Sequence, residues 1–386
     1  MVEDPHAVRT LRVGSAAEAG LSGVEAIASA AAAGLRPAVD SARPHYPGYV
    51  VLAARNGIVA LRAAGGHVLR YADAGGADLP GREWIAARPD TIFDVASLTK
   101  LFTSIAVMQQ VESSGLELDR PVSSYLPDAA TRGPITPRHL LTHTSGLPAE
   151  PDPSLYAYDS MADRVAAIHA SVPFAPPGTS YCYSDINLIT LGFLVEAVSG
   201  SPLDDVVRAG ITEPLGMPDT GFRRTASHER TAPTEYEADP PRGLVWGEVH
   251  DENAWSLGGV AGHAGVFSTA DDLAILCQAI LDGGVYDGVR ILRAETVAAM
   301  LREENAGFPG HAHGLGFELD QDWYMGELSS PWTAGHTGFT GTSMVLDRRH
   351  QAFVLLLSNR VHPSRDWGKI NSVRANVATA FARALR

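Results

Sequence analysis

Phe93-Asp-Val-Ala-Ser97-Leu-Thr-Lys100-Leu-Phe-Thr103 sets a serine and a lysine three residues apart at the head of an apolar repeat. Leu98, Leu101, Phe102, Ile105 and Met108 recur at helical spacing as far as Gly115, so Ser97 is expected to open a buried helix. Positions i and i+3 share a helix face, which brings the amine within reach of the hydroxyl. A serine hydroxyl at its ordinary pKa is a poor nucleophile and needs a neighbouring base. The helix N-terminus adds N–H groups and partial positive charge that favour anions. Taken alone, the tetrad reads more readily as an N-capping serine and a solvated lysine.

Upstream, Tyr49-Val-Val-Leu-Ala-Ala54 and Ile58-Val-Ala-Leu61 flank Asn56-Gly57, which predicts a hairpin with a type I′ turn. Ser15 to Leu35 is alanine-rich and helix-prone, and Pro44 and Pro47 break it, so residues 1–45 read as a peripheral helical segment. Residues 65–90, rich in Gly, Asp and Pro, read as a loop. From Asp119 to about Gly221 helices and loops alternate, punctuated by prolines, and residues 187–199 form an apolar helix closed by Gly200. Residues 222–260 read as irregular loops, and Ser268 to Leu281 as a capped helix. Thr342–Leu346 and Ala352–Leu357 flank a second hairpin turn, and the last twenty residues form a helix. Strands near both ends must find each other. The expected fold is α+β (an α/β arrangement with a helical lobe): an antiparallel sheet built from both chain termini and flanked by helices, plus a mostly helical inserted domain. Its main domain is residues 46–386, with 46–118 and about 260–386 as the α/β lobe and about 119–259 as the helical and loop lobe.

At 386 residues the chain exceeds the usual span of one core. Its 45% apolar and 19% charged residues suit a globular enzyme. A net charge of −14 argues against nucleic acid as a partner. The two cysteines, Cys182 and Cys277, make no disulfide framework and read as small buried hydrophobes. His311-Ala-His313, in a Gly/Pro-rich loop, reads as a surface pair, so neither metal nor cofactor is expected. Met1-Val-Glu-Asp-Pro5 is acidic without an apolar core, and no 18-residue apolar run occurs, so a cytoplasmic protein with no membrane partner is expected. The oligomeric state is not legible.

Two further motifs carry chemistry. Tyr183-Ser184-Asp185 follows the Pro177-Gly178 turn, and a tyrosine beside an ammonium can act as base or proton relay. Gly335-His336-Thr337-Gly338-Phe339 sits just before a strand, where glycine admits a close ligand. The N–H groups of Ser97 and Phe339 could pair as an oxyanion hole. A structural tyrosine and a glycine-rich turn are the plainer readings of the two.

The order Ser-x-x-Lys, Tyr-x-Asp, His-Thr-Gly resembles the class C β-lactamase, D,D-peptidase and family VIII carboxylesterase superfamily. Ile135-Thr-Pro-Arg-His-Leu-Leu-Thr-His-Thr-Ser-Gly-Leu-Pro148 and Pro214-Leu-Gly-Met217 fall in the same order, and the resemblance spans roughly residues 45–385. Gly247-Glu-Val-His-Asp251, Gly258-Gly-Val-Ala-Gly-His263-Ala-Gly-Val-Phe-Ser268 and Ser358-Asn-Arg-Val-His-Pro363 resemble a penicillin-binding-protein-like subgroup of bacterial serine hydrolases. The resemblance implies Ser97 as acylated nucleophile, Lys100 as its base and Tyr183 as relay; His336 is taken with them as catalytic, and Asp185, Thr337, Gly338 and Arg360 as substrate-binding. It departs in two places. Asp185 stands where β-lactamases often have Asn, and should hold Lys100 as an ammonium. His336 stands where they carry Lys, and is mostly neutral at pH 7, so a substrate carboxylate is held weakly or by Arg360. The expected activity is hydrolysis or acyl transfer on small neutral esters or amides. A D,D-peptidase or weak β-lactamase, and a non-catalytic sensor module, are the alternatives.

Overall fold

The computed structural model describes residues 9–37, 43–223 and 228–386; the acidic Met1–Pro5 stretch lies outside them. Strands β1 (Arg12–Val13), β2 (Gly48–Arg55), β3 (Ile58–Leu69) and β4 (Ile85–Ala86) come from the first part of the chain. Strands β5 (Phe93–Asp94), β6 (Gly221–Phe222) and β7 (Val266–Ser268) form a separate small sheet in the order β5-β7-β6. Strands β8 (Glu318–Leu319), β9 (Thr333–Thr337), β10 (Ser343–Asp347) and β11 (Ala352–Ser358) complete the large sheet. That sheet has eight strands in the order β1-β3-β2-β11-β10-β9-β8, with β4 on β3. Pairing is antiparallel except between β1 and β3. The α+β fold with a sheet made from both ends of the chain is thus the observed one.

Local chemistry explains the pieces. Asn56 and Gly57 have φ of 54° and 75°, the left-handed pair that a type I′ turn demands. Leu52 of β2 lies opposite Leu355 of β11, at the seam where the two halves of the chain join. Both strands are apolar throughout because both sheet faces are covered. Val50, Leu52 and Ala54 join a core built with helices α2 (Thr99–Glu112), α3 (Asp185–Ser199) and α4 (Ala270–Leu281). Val51 and Ala53 join a second core with α1 (Glu25–Ala33) and α5 (Asn371–Ala384).

Three expectations change. The N-terminal helix is shorter than Ser15–Leu35, because Gly20 and Gly23 take left-handed backbone before it starts. The segment read as peripheral also adds β1 to the sheet and buries Ile27 and Ala31 fully. The loop expected from residue 65 begins later, since β3 continues through Gly65-Gly66 to Leu69, where the Tyr49 ring leaves no room for a side chain at 65.

The segment from Gly258 to Ser268 joins α2 to α3. Thr103 Oγ1 donates to Gly262 O at 2.7 Å, and a Cβ on Gly262 would lie 1.9 Å from Leu188 O. Only glycine lets the segment pass so close. Among the described residues no single helix is long and apolar enough to cross a membrane.

Candidate active site

Ser97 does not begin the α-helix itself. It lies in a 3-10 turn, Ala96–Leu98, and α2 starts at Thr99. The buried Asp94 carboxylate shapes that turn by accepting the Ala96 N–H at 2.8 Å and the His250 N–H at 2.7 Å. Ala96 is held at φ 48°, a left-handed conformation costly for a residue with a Cβ.

Lys100, on the first turn of α2, is 1% exposed. Its Nζ donates to Ser97 Oγ at 2.8 Å and lies 2.7 Å from Asp185 Oδ1. It also sits 4.7 Å from the centre of the Tyr183 ring. Burial opposes the ammonium, but Asp185 and then Tyr183 outweigh it, and the net shift is upward. Tyr183 is half-buried; desolvation pushes its phenol up to about 12 against the pull of Lys100. Asp185 opens α3, so the helix start delivers the carboxylate to the lysine.

His336, on β9, is buried, with Nδ1 2.8 Å from Thr337 O. Nδ1 therefore carries the hydrogen, and Nε2 has no partner. Burial and the nearby Lys100 push the ring down to about 3, so it is neutral at pH 7. Beyond it, Gly338 N donates to Thr342 O at 2.8 Å. Thr340 Oγ1 donates to Asp94 O at 2.7 Å and Thr342 Oγ1 to Val95 O at 3.0 Å, stitching this turn to the backbone before Ser97. A Cβ on Gly338 would lie 2.4 Å from Val95 O. Phe339 is exposed, its ring stacked on His250 at 5.6 Å.

Ser97, Tyr183, Thr337, Gly338, Phe339 and Arg360 face one cavity of about 840 Å³. Arg360 spends its guanidinium on backbone carbonyls: Phe339 O at 2.8 Å, Arg365 O at 3.0 Å and Gly368 O at 3.2 Å. Of the tryptophans in the surrounding loops, only Trp323 reaches this cavity; Trp246 and Trp255 line a separate cleft.

Sequence reading passed over three groups here and misplaced a fourth. His143 accepts the Ser184 N–H at 3.0 Å and packs on the Tyr183 ring at 4.6 Å. His313, expected on the surface, is 1% exposed and 5.3 Å from His143. Arg374 of α5, also buried, donates to Gly338 O and to Thr342 O at 2.8 Å, holding the turn from the other side. His263 bonds Asp251 at 2.9 Å behind Lys100. His143 and His263 both lay inside strings that the resemblance picked out. Among the described residues two groups bring donor atoms close enough to share a cation, Asp185–Asp251–His263 and Glu235–Glu237–His250. In each, protein cations already face the carboxylates: Lys100 in the first, Arg365 and Arg242 in the second.

The chain matches the β-lactamase family over residues 31–379. An Escherichia coli (strain K12) protein named "Putative D-alanyl-D-alanine carboxypeptidase" is 33% identical over 353 residues, covering 82% of this chain and 79% of the relative. Among solved structures, EstCE1, described as a hydrolase with promiscuous acyltransferase activity, superposes with a TM-score of 0.71 at 23% identity over 93% of this chain and 98% of its own. A family VIII carboxylesterase does so at 0.66 and 22%, over 93% and 97%. A family match across nearly the whole chain, with a relative one-third identical, places this protein in the β-lactamase family, and the solved neighbours share its fold.

Proposed function

We propose that the protein is an esterase or transacylase that works through an acyl-enzyme on Ser97 and takes small neutral esters or amides. One observation carries the reading: Lys100 Nζ stands 2.8 Å from Ser97 Oγ at the edge of a cavity large enough for a small substrate. Lys100 and Tyr183 both hold protons at neutral pH, so the pair must shed one before it can take the serine proton. Acylation therefore climbs towards alkaline pH. Ser97 Oγ then attacks the carbonyl carbon, and the N–H groups of Ser97 and Phe339 hold the resulting oxyanion. The leaving group departs with a proton passed through Tyr183. Water or a second alcohol, entering by the same route, releases the acyl group.

Neutral substrates suit a neutral His336 and arginines already committed to carbonyls. A small molecule as partner and a cytoplasmic setting belong to the same reading. A D,D-peptidase is the second reading, favoured by the name of the Escherichia coli relative and by the exposed Lys369 beside the cavity.

Intact mass after exposure to a fluorophosphonate or a penicillin, with rates on short p-nitrophenyl esters with and without a free carboxylate, separates them. The expected result is a fluorophosphonate adduct only, faster turnover of the neutral ester, and loss of at least about a thousandfold in Ser97→Ala. A penicillin adduct with preference for the carboxylate ester selects the peptidase. No adduct with either reagent removes the acyl-enzyme reading.

A further inference from the structure

Behind Lys100 lies a second ion pair that the proposed acyl-transfer chemistry leaves without a task. His263 is 1% exposed, and its Nε2 is 2.9 Å from Asp251 Oδ1. The same Asp251 oxygen accepts the Ala254 N–H at 2.7 Å, which fixes the carboxylate at the start of the short helix Glu252–Ser256. The His263 carbonyl lies 3.4 Å from Lys100 Nζ. Asp185, Asp251 and His263 each bring a ligand atom within 4.8 Å of the others. Four charges thus follow one another: Lys100, Asp185, His263, Asp251. The close passage of Gly262 between α2 and α3 builds this sequence into the fold.

Charges around His263 come from every element packed on it. Lys100 comes from α2, Asp185 from α3, and Asp251 from the segment before the short helix. Glu150 lies farther out and also feels His263, while His250 is turned towards Glu235. Burial disfavours a charged imidazole, but Asp251 and Asp185 outweigh it, and the net effect is to retain the proton.

We infer that the Asp251–His263 pair is a positioning and charge-tuning device for the nucleophile: His263, kept as an imidazolium by Asp251, shares Asp185 with Lys100 and loosens the hold of that carboxylate on the lysine proton. The inference rests on the acyl-enzyme reading of Ser97. Its logic is independent of which group finally takes the serine proton. A positive charge beside Lys100 and Tyr183 eases deprotonation of either, and its removal makes both harder to deprotonate.

The test is the pH dependence of fluorophosphonate labelling of the full-length protein, comparing the parent with His263→Gln and with His263→Gln/Asp251→Asn. A unit charge a few ångströms away in a partly screened site moves a pKa by about one to two units. The single variant should therefore shift the labelling midpoint alkaline by that much, with about a tenfold loss at neutral pH that higher pH restores. The double variant, which removes both charges, should move the midpoint back towards the parent. An unmoved midpoint, an acid shift, or a loss that pH does not restore overturns the inference. Nitrogen-15 histidine NMR of the parent is a second measurement should the variants not fold. At pH 6.5, the ordinary midpoint of a histidine, the His263 ring should be mostly protonated, and a mostly neutral ring there overturns the inference. Labelling that persists in Ser97→Ala would instead overturn the acyl-enzyme reading, a distinct outcome.

Discussion

Ala96 carries the backbone strain that aims Ser97. Its φ of 48° is imposed by Asp94, which caps Ala96 N, and by the small β5-β7 pairing that anchors the preceding strand. Glycine at this position would relieve the left-handed penalty, about 1 kcal/mol, while freeing the unfolded chain by nearly as much. Ala96→Gly should thus leave stability within about 1 kcal/mol of the parent, read by urea denaturation. Its kcat on a neutral ester should fall at least about tenfold, because the serine loses its fixed direction. Unchanged kcat would deny the strained turn a role in aiming the nucleophile. Ser97, Lys100, Tyr183 and His336 were legible because each sits in a motif with its own spacing. The twist at Ala96 was not, since alanine carries no signal of a left-handed backbone.

Elements were legible where turn chemistry marks their ends. Gly200 takes φ 70° after α3, as its place behind an apolar run predicts, and Asn56-Gly57 turns β2 into β3. The passage of Gly258–Ser268 between α2 and α3 was not legible, because it depends on two helices far apart in sequence, Thr99–Glu112 and Asp185–Ser199, coming together. Its glycine provides the test. Gly262→Ala puts a methyl against Leu188 O, a rigid backbone atom, so the segment or α3 must move. Overpacking of this kind costs about 1–3 kcal/mol. The denaturation midpoint should drop accordingly, and fluorophosphonate labelling of Ser97 should slow with it as the Lys100–Asp185 contact is disturbed. A variant as stable and as reactive as the parent would contradict the close packing.

Over the whole molecule, burial of neutral imidazoles links stability to pH. His313 is held down to about 4 by burial, His336 to about 3, and His143 well below its usual value. Above about pH 7.5 these rings are neutral folded and unfolded alike and add no pH dependence. As pH falls below 6.5 the unfolded chain takes up protons that the folded one refuses, so stability is lost towards the folded values. By pH 5.5 each such ring costs about 1.4 kcal/mol. Lowering the pH from 7 to 5 should cost the parent more Tm than it costs His313→Gln, which lacks one of the rings; an identical pH response in the variant would mean that His313 titrates normally. Sequence by itself determined the serine, lysine, tyrosine and histidine of the site, the α+β class, and the joining of both chain ends in one sheet. These follow from local spacing and from apolar strands that must be covered. Sequence also anticipated a Lys100 ammonium and a neutral His336; tertiary structure alone decided what surrounds and enforces them. Asp185 was expected beside Lys100, but the burial of His143, His313 and His336, the commitment of Arg360 to carbonyls, and the Asp251–His263 pair at the back of Lys100 were not. Charge and desolvation depend on distances between residues far apart in the chain, and only the folded packing sets those distances.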